Sequence, residues 1–307
     1  MMSGQGLCWK FSLLALMMGF SQWAAADETT YQLVYRFQTG QFFHYDVDDL
    51  AEMLMQHGEN HSTSVQQTQM LKSFRVVTVD ENGGATIEPI VEIVRMASKS
   101  GDRAKVIYDS EKDPNPPQEF EKIAGTIGRP LARFHFAANG RLLKVTMLAT
   151  DVPKSFTDAA QKVDPTINFL VVLPEQPVKI GDKWTEKYET QVFVGSGLTQ
   201  PIKLIRGFEL VKVTEQIATI RVRTSLLTPV NDPEILRQLV QQTPAGTIEF
   251  DMQQGRVLNR TLQIDEKVIS AFGPQTLLQA SGKSVEKLLP PNLPPRVSSK
   301  PPNPLPK

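Results

Sequence analysis

The residues best suited to chemistry in this chain are His57 and His61, which flank a carboxylate in His57-Gly58-Glu59-Asn60-His61. Two histidines four apart would share a face of a helix and could both ligate zinc there. Gly58 and Asn60 favour turns, however, and the zinc-protease spacing places the glutamate directly after the first histidine. The segment therefore reads as a hairpin tip, with His57 and His61 retained as the metal candidates. His44 and His135, the remaining histidines, fall in predicted strands at solvent-facing positions. Asp46, Asp48, Asp49 and Glu52 form a local acidic group, but calcium wants six to eight oxygens. The group also lacks the glycine and the terminal glutamate of the known loop, so it reads as a solvated strand edge. Nucleophile chemistry has little to draw on: there is no G-x-S-x-G elbow, and the single cysteine, Cys8, lies near the N-terminus. Gly195-Ser196-Gly197 lacks the following helix and third glycine of a phosphate-cradling loop, and reads as a turn. The expectation is no catalytic residue and no cofactor.

The ends of the chain give an address. Lys10 precedes the apolar run Phe11–Phe20, which has about half the length a bilayer-spanning helix needs. Ala24 and Ala26 then stand at −3 and −1 of an expected signal-peptidase cut between Ala26 and Asp27. Residues 1–26 thus read as a secretory signal peptide and the mature chain as periplasmic or secreted, with no transmembrane segment. Cleavage removes Cys8, which excludes disulfides and thiolate metal sites from the mature chain. At the other end, 8 of the 18 residues from Pro290 to Lys307 are proline, and three are basic. This stretch reads as an extended, disordered basic tail. With 33 basic and 33 acidic residues in all, nothing favours nucleic acid, whose binding relies on clustered bases.

Between the ends the pattern is β and it occurs twice. Gly40 leads into Phe42-Phe43, as Gly181 leads into Trp184. Phe74–Val79 turns at Asp80-Glu81-Asn82-Gly83-Gly84 and returns as Ala85–Met96. Correspondingly, Phe208–Val213 turns near Thr214–Gln216 and returns as Ile217–Leu227. Each copy then has a proline-led helix start, Asn115-Pro116 and Asp232-Pro233, followed by an apolar stripe: Phe120, Ile123, Ala124, Ile127, and Ile235, Leu236, Leu239, Val240. Each closes with a hairpin, turning at Asn139-Gly140 and Gln254-Gly255. Alternation such as Leu258, Leu262, Ile264 against Asn259, Thr261, Gln263 marks strands with one buried face. A final strand is expected over Gln275–Leu288, and a linking helix through Phe156, Ala159, Ala160 and Val163 that ends at Asp164-Pro165.

The expected fold is therefore mainly β (α+β): two related curved antiparallel sheets, each with a short covering helix. The division is a first repeat over 27–150, a linking helix over 151–166, a second repeat over 167–289 and a tail over 290–307. This order, with Tyr108-Asp109-Ser110 in the first copy and Gly181-Asp182-Lys183-Trp184 opening the second, resembles an uncharacterised family of exported bacterial proteins across residues 31–288. The architecture is also similar to the lipoprotein-carrier half-barrels, in which a bent sheet encloses an acyl chain. The functional expectation is a non-catalytic exported protein that binds an apolar or amphiphilic ligand against its sheet. The alternatives are an envelope scaffold acting through the proline-rich tail, and a hydrolase or metal-binding protein using the His57/His61 loop.

Overall fold

Alternation of apolar and polar side chains forces long strands here, and the computed structural model, which describes residues 29–194 and 197–291, contains twelve of them in one antiparallel sheet. In chain order they are β1 (Phe42–His57), β2 (Asn60–Val79), β3 (Ala85–Ser100), β4 (Val106–Asp109), β5 (Ala132–Phe136) and β6 (Leu142–Met147). After α2 (Lys154–Lys162) come β7 (Lys183–Phe193), β8 (Thr199–Thr214), β9 (Ile217–Leu226), β10 (Ala245–Asp251), β11 (Arg256–Ile269) and β12 (Thr276–Leu288). Two further helices are α1 (Glu121–Ala124) and α3 (Pro233–Leu239). Across the sheet the order is β6-β5-β3-β2-β1-β12-β11-β10-β9-β8-β7, with β4 attached to β3.

The protein thus has one sheet where the sequence predicts two. The joint is β12, the extra final strand: it pairs with β11 on one side and with β1 on the other, from Tyr45↔Leu288 to His57↔Thr276. A strand left over after both repeats has open hydrogen-bonding groups on its outer edge, and β1 offers the matching edge. The chain does not close into a barrel.

The first helix also departs from expectation. It begins after Pro117, with a 3-10 turn over Gln118–Phe120, and no side chain caps it. Asn115 is not its cap, because Pro116 and Pro117 in succession push each preceding residue into extended backbone, so helix can start only beyond the second proline. In α3 the expected cap is present: Asp232 Oδ1 accepts from the Glu234 amide at 2.8 Å, with Pro233 in the first turn. The linking helix is α2, terminated at Val163 in left-handed conformation just before Asp164-Pro165.

The turn between β2 and β3 has its glycine in left-handed backbone, Gly83 at φ 81°, while Asp80 Oδ1 accepts from the Asn82 and Gly84 amides. Between β8 and β9 the two turn residues, Glu215 and Gln216, also have positive φ (50° and 70°) but neither is glycine. Left-handed backbone costs an L-residue about 1–2 kcal/mol. Replacing the pair by Asn-Gly is expected to raise stability by about 1 kcal/mol, since that dipeptide suits this turn. A chemical denaturation midpoint that stays put or falls would refute this account of the turn.

One face of the sheet is covered along the lower half of its strands by two extended straps, residues 31–37 and 168–178. Tyr31 and Val178 bridge the straps through two backbone bonds of 2.7 and 2.9 Å. Tyr35 Oη donates to the Val171 carbonyl and accepts from the Val171 amide, each at 2.9 Å. Trp184 Nε1 donates to the Val172 carbonyl at 2.7 Å. Against these straps pack Phe208, Leu210, Ile220, Ile248 and Phe250 from one half, and Phe43, Phe74, Ile87, Phe134 and Phe136 from the other. The upper half of the same face is covered by α1 over β2 and β3, and by α3 over β7, β8, β11 and β12.

Candidate ligand cleft

Strand phase decides which residues meet. On β1 the odd positions Phe43, Tyr45, Val47, Asp49, Ala51 and Met53 lie on the covered face, and the register sets β2's even positions and β12's even positions beside them. Climbing this face, the aromatic core around Tyr45 and Phe74 is filled, with only about 20 Å³ of free space between it and the straps. Above it lies a row of charge, with Glu286 buried and Lys72 and Arg260 half-buried. Glu286 is bound by Lys72 Nζ at 2.8 Å and by Arg260, whose guanidinium also donates to the Phe169 carbonyl at 3.3 Å. Burial works to raise the Glu286 carboxyl, but Arg260 and Lys72 together outweigh it and hold the group below its ordinary value. Burial lowers the Lys72 ammonium despite Glu286.

One row higher, burial raises the Asp49 carboxyl, opposed by its hydrogen bond to Ser284 and by Lys72. Here the face opens. Ala51, Ala280, Gly282 and Ser284 are small, and the segment from Gln241 to Pro244 passes over them without filling the space. The result is a cleft of about 330 Å³, walled by Leu262 and Ile264 and ended by Asp49. That is within the range of about 300–1,000 Å³ usual for small-molecule sites. Its combination of apolar walls and one polar end suits an amphiphilic molecule. A second cleft, of about 740 Å³, lies on the other side of the same segment, between β9 and β11.

The predicted site residues are dispersed. The hairpin register pairs His57 with Asn60 and Gln56 with His61, so the two imidazoles leave opposite faces of the ribbon. Both are exposed at the β1–β2 tip, and His61 lines an open groove with Glu52, Lys99, Asp102 and Arg103. Among the described residues no group of three or more His, Cys, Asp or Glu gathers as a metal site. Asp46, Asp48 and Glu52 lie on the open face of β1 and Asp49 on the covered one, so that acidic group is split. His44 stands 3.3 Å from Glu92 and His135 is 3.0 Å from the Thr86 hydroxyl; both are half-buried. The signal-peptide cut at Ala26 and Asp27, residues 195 and 196 of the glycine turn, and the tail from 292 onward lie outside the described residues.

Sequence reasoning missed Lys72, Arg260, Glu286 and Asp49 as one constellation. The signal was phase: Lys72 falls between Met70 and Phe74, and Arg260 between Leu258 and Leu262, each a charged residue at an apolar position of its strand.

The fold and cleft define an open, all-antiparallel β-sheet protein with a strapped core and an apolar cleft on the same face. Residues 146–267, from the end of β6 almost to the end of β11, match a family of unknown function, DUF6263. No curated protein matches the chain. Among solved structures, the chain is similar to lipovitellin, in a structure titled for its lipid–protein interactions, at 11% identity and a TM-score of 0.48, over 86% of this chain and 27% of that one. It therefore spans about a quarter of the lipovitellin chain. The translocator domain of the autotransporter NalP from Neisseria meningitidis aligns at 10% identity and a TM-score of 0.30, over 82% of this chain and 89% of that one. Likenesses at these scores carry no functional argument. No described helix is long and apolar enough to cross a membrane.

Proposed function

We propose that this protein is an exported, non-catalytic binding protein that holds an apolar or amphiphilic ligand in the cleft above Asp49. The observation that carries the reading is the change along one sheet face. Below the charged row only about 20 Å³ is free, whereas above it small residues leave about 330 Å³ beside the Gln241–Pro244 segment. A face packed only for stability would fill this space as well, since interior packing elsewhere leaves few voids. Export rests on the order of basic, apolar and small-residue segments before Asp27. The reading of the two halves as related copies is supported by their matching order across the sheet, β6-β5-β3-β2-β1 and β11-β10-β9-β8-β7.

The test is titration of the protein with 11-(dansylamino)undecanoic acid. Saturable binding with one site is expected, and Ala51→Phe, which fills the cleft, is expected to weaken it at least tenfold while the thermal midpoint stays within a few degrees. Absence of saturable binding, or an Ala51→Phe variant that binds as well as the parent, would reject the cleft as the site.

A further inference from the structure

The second cleft exists because β10 stops early. Its ladder with β9 ends at Ala245↔Arg223 and with β11 at Ala245↔Gln263. One more bond follows, from the Thr224 amide to the Pro244 carbonyl at 2.9 Å. Pro244 has no N–H, so it cannot return a bond to the Thr224 carbonyl. Beyond that point β9 continues to Leu226 and β11 to Ile269, and among the described residues no strand occupies the lane between them.

Antiparallel pairing fixes which backbone groups face this lane. The Leu227 amide bonds to Lys203 on β8, so the N–H and C=O of Leu226 point the other way, into the lane. On β11 the Ser270 amide bonds to Thr276 beyond the lane, so the backbone groups of Lys267 and Ile269 point into it from the opposite side. The floor on the covered face is apolar, formed by Leu236, Leu239, Val240 and Val268. Thr224 lines the cleft at 3% exposure, and its hydroxyl has no hydrogen-bond partner. On the open face the rim carries Arg221, Arg223 and Lys267 against Asp265, and Arg221 is already held by Glu209 at 3.1 Å.

We propose that this lane receives an extended peptide strand from a partner protein, with apolar side chains toward α3 and an acidic side chain beside Lys267. The backbone groups of Leu226 and the Thr224 carbonyl on one side, and those of Lys267 and Ile269 on the other, call for a third backbone between them, which an acyl chain cannot supply. With Arg221 held by Glu209 and Glu266 on the covered face, the open-face rim keeps Arg223 and Lys267 against Asp265 alone, which selects an acidic side chain on that face. Beyond Pro244 the lane is two residues long on the β9 side, Ser225 and Leu226, and five on the β11 side, Asp265 to Ile269, so the peptide pairs with both strands at its start and with β11 alone beyond it. This inference goes beyond the amphiphile reading and does not rest on it.

The experiment uses the full chain and a fluorescein-labelled acetyl-Val-Glu-Val-Glu-Val-Glu peptide, with its block isomer Val-Val-Val-Glu-Glu-Glu as comparison. The alternating peptide is expected to give a saturable anisotropy change, to bind at least tenfold tighter than the block isomer, and to slow amide exchange at Leu226, Lys267 and Ile269 at least tenfold. Lys267→Pro removes a donor that faces only the lane and is expected to abolish binding. Lys267→Glu, which leaves the backbone intact, is expected to shift preference to the Val-Lys analogue. Equal binding of the two isomers, protection elsewhere, or no saturable binding overturns the proposal. So does a free chain that sediments as a dimer with these amides already protected, which would assign the lane to a second copy.

Discussion

Replacing Glu286 with alanine is expected to cost about 3–5 kcal/mol of folding stability, because it removes the buried partner of two half-buried cations, Lys72 and Arg260. The Glu286 side chain is 6% exposed, and Lys72 and Arg260 both direct their charge at it, on a sheet face closed below by the aromatic core. The attraction within the triad offsets the cost of taking three charges out of water without greatly exceeding it. Removing all three in favour of apolar residues of similar volume, as in Lys72→Met, Arg260→Met and Glu286→Leu together, is therefore expected to recover most of the loss. Equilibrium urea unfolding of the single and triple variants measures both. A Glu286→Ala loss below about 1 kcal/mol would mean that water reaches the cluster and screens it.

The same carboxylate sets an acid dependence. Its folded value lies below its ordinary 4.5, so its stabilising effect is fully present above that value and is lost as pH falls through the depressed folded one. Asp49 works in the opposite sense: with its carboxyl raised by burial, its contribution is present at low pH and shrinks as pH rises through the raised value. Asp49 titrates in both proteins, and the Glu286 charge contributes less to raising it than burial does, so the difference in stability between wild type and Glu286→Gln reports mainly Glu286. That difference is expected to be constant at neutral pH and to narrow only well into the acid range. A gap that stays the same down to about pH 2 would show that the Glu286 carboxyl titrates alike in the folded and the unfolded chain, with no depression by Arg260 and Lys72.

How far the fold could be read in advance differs from element to element. Strand phase in Phe134-His135-Phe136 and Ile248-Glu249-Phe250 predicted which side chains are buried, and all four apolar ones are. The glycine turns at Gly83, Gly140 and Gly255 were legible because left-handed backbone leaves glycine as the natural choice. The union of the two halves was not legible, since pairing of β1 with β12 depends on which edge remains open after every local hairpin has formed. The straps escaped notice for a related reason: Leu33, Tyr35, Val171 and Leu173 belong to no strand in the sheet, and their burial comes from contacts far along the chain. The cleft escaped because an absence of side-chain volume, as at Ala51 and Gly282, leaves no chemical signature in the sequence. For His57 and His61, the turn chemistry of Gly58 outweighed the helical spacing in the reading, and the hairpin register is what separates the two rings.

Gly140→Ala is expected to be the second most damaging single change, at about 2–5 kcal/mol from left-handed strain plus overpacking. Gly140 sits in the β5–β6 turn at φ +81°, where a Cβ would come within 2.5 Å of the Val171 carbonyl and 2.6 Å of the Tyr35 ring. Both neighbours are fixed, because Tyr35 and Val171 are locked together by the paired hydrogen bonds of the strap. Gly255, in the β10–β11 turn, meets the other strap in the same way: its Cβ would lie 2.5 Å from the Arg36 amide and 2.7 Å from the Val34 carbonyl. Gly40 supplies the control, with φ +82° but nothing within 4 Å. Gly40→Ala thus carries the backbone strain alone, about 1–2 kcal/mol, and the excess seen in Gly140→Ala and Gly255→Ala measures how closely each strap is held against its turn. Equal losses at all three positions would mean that the straps can retreat from the sheet, and the filled lower core would then owe little to them.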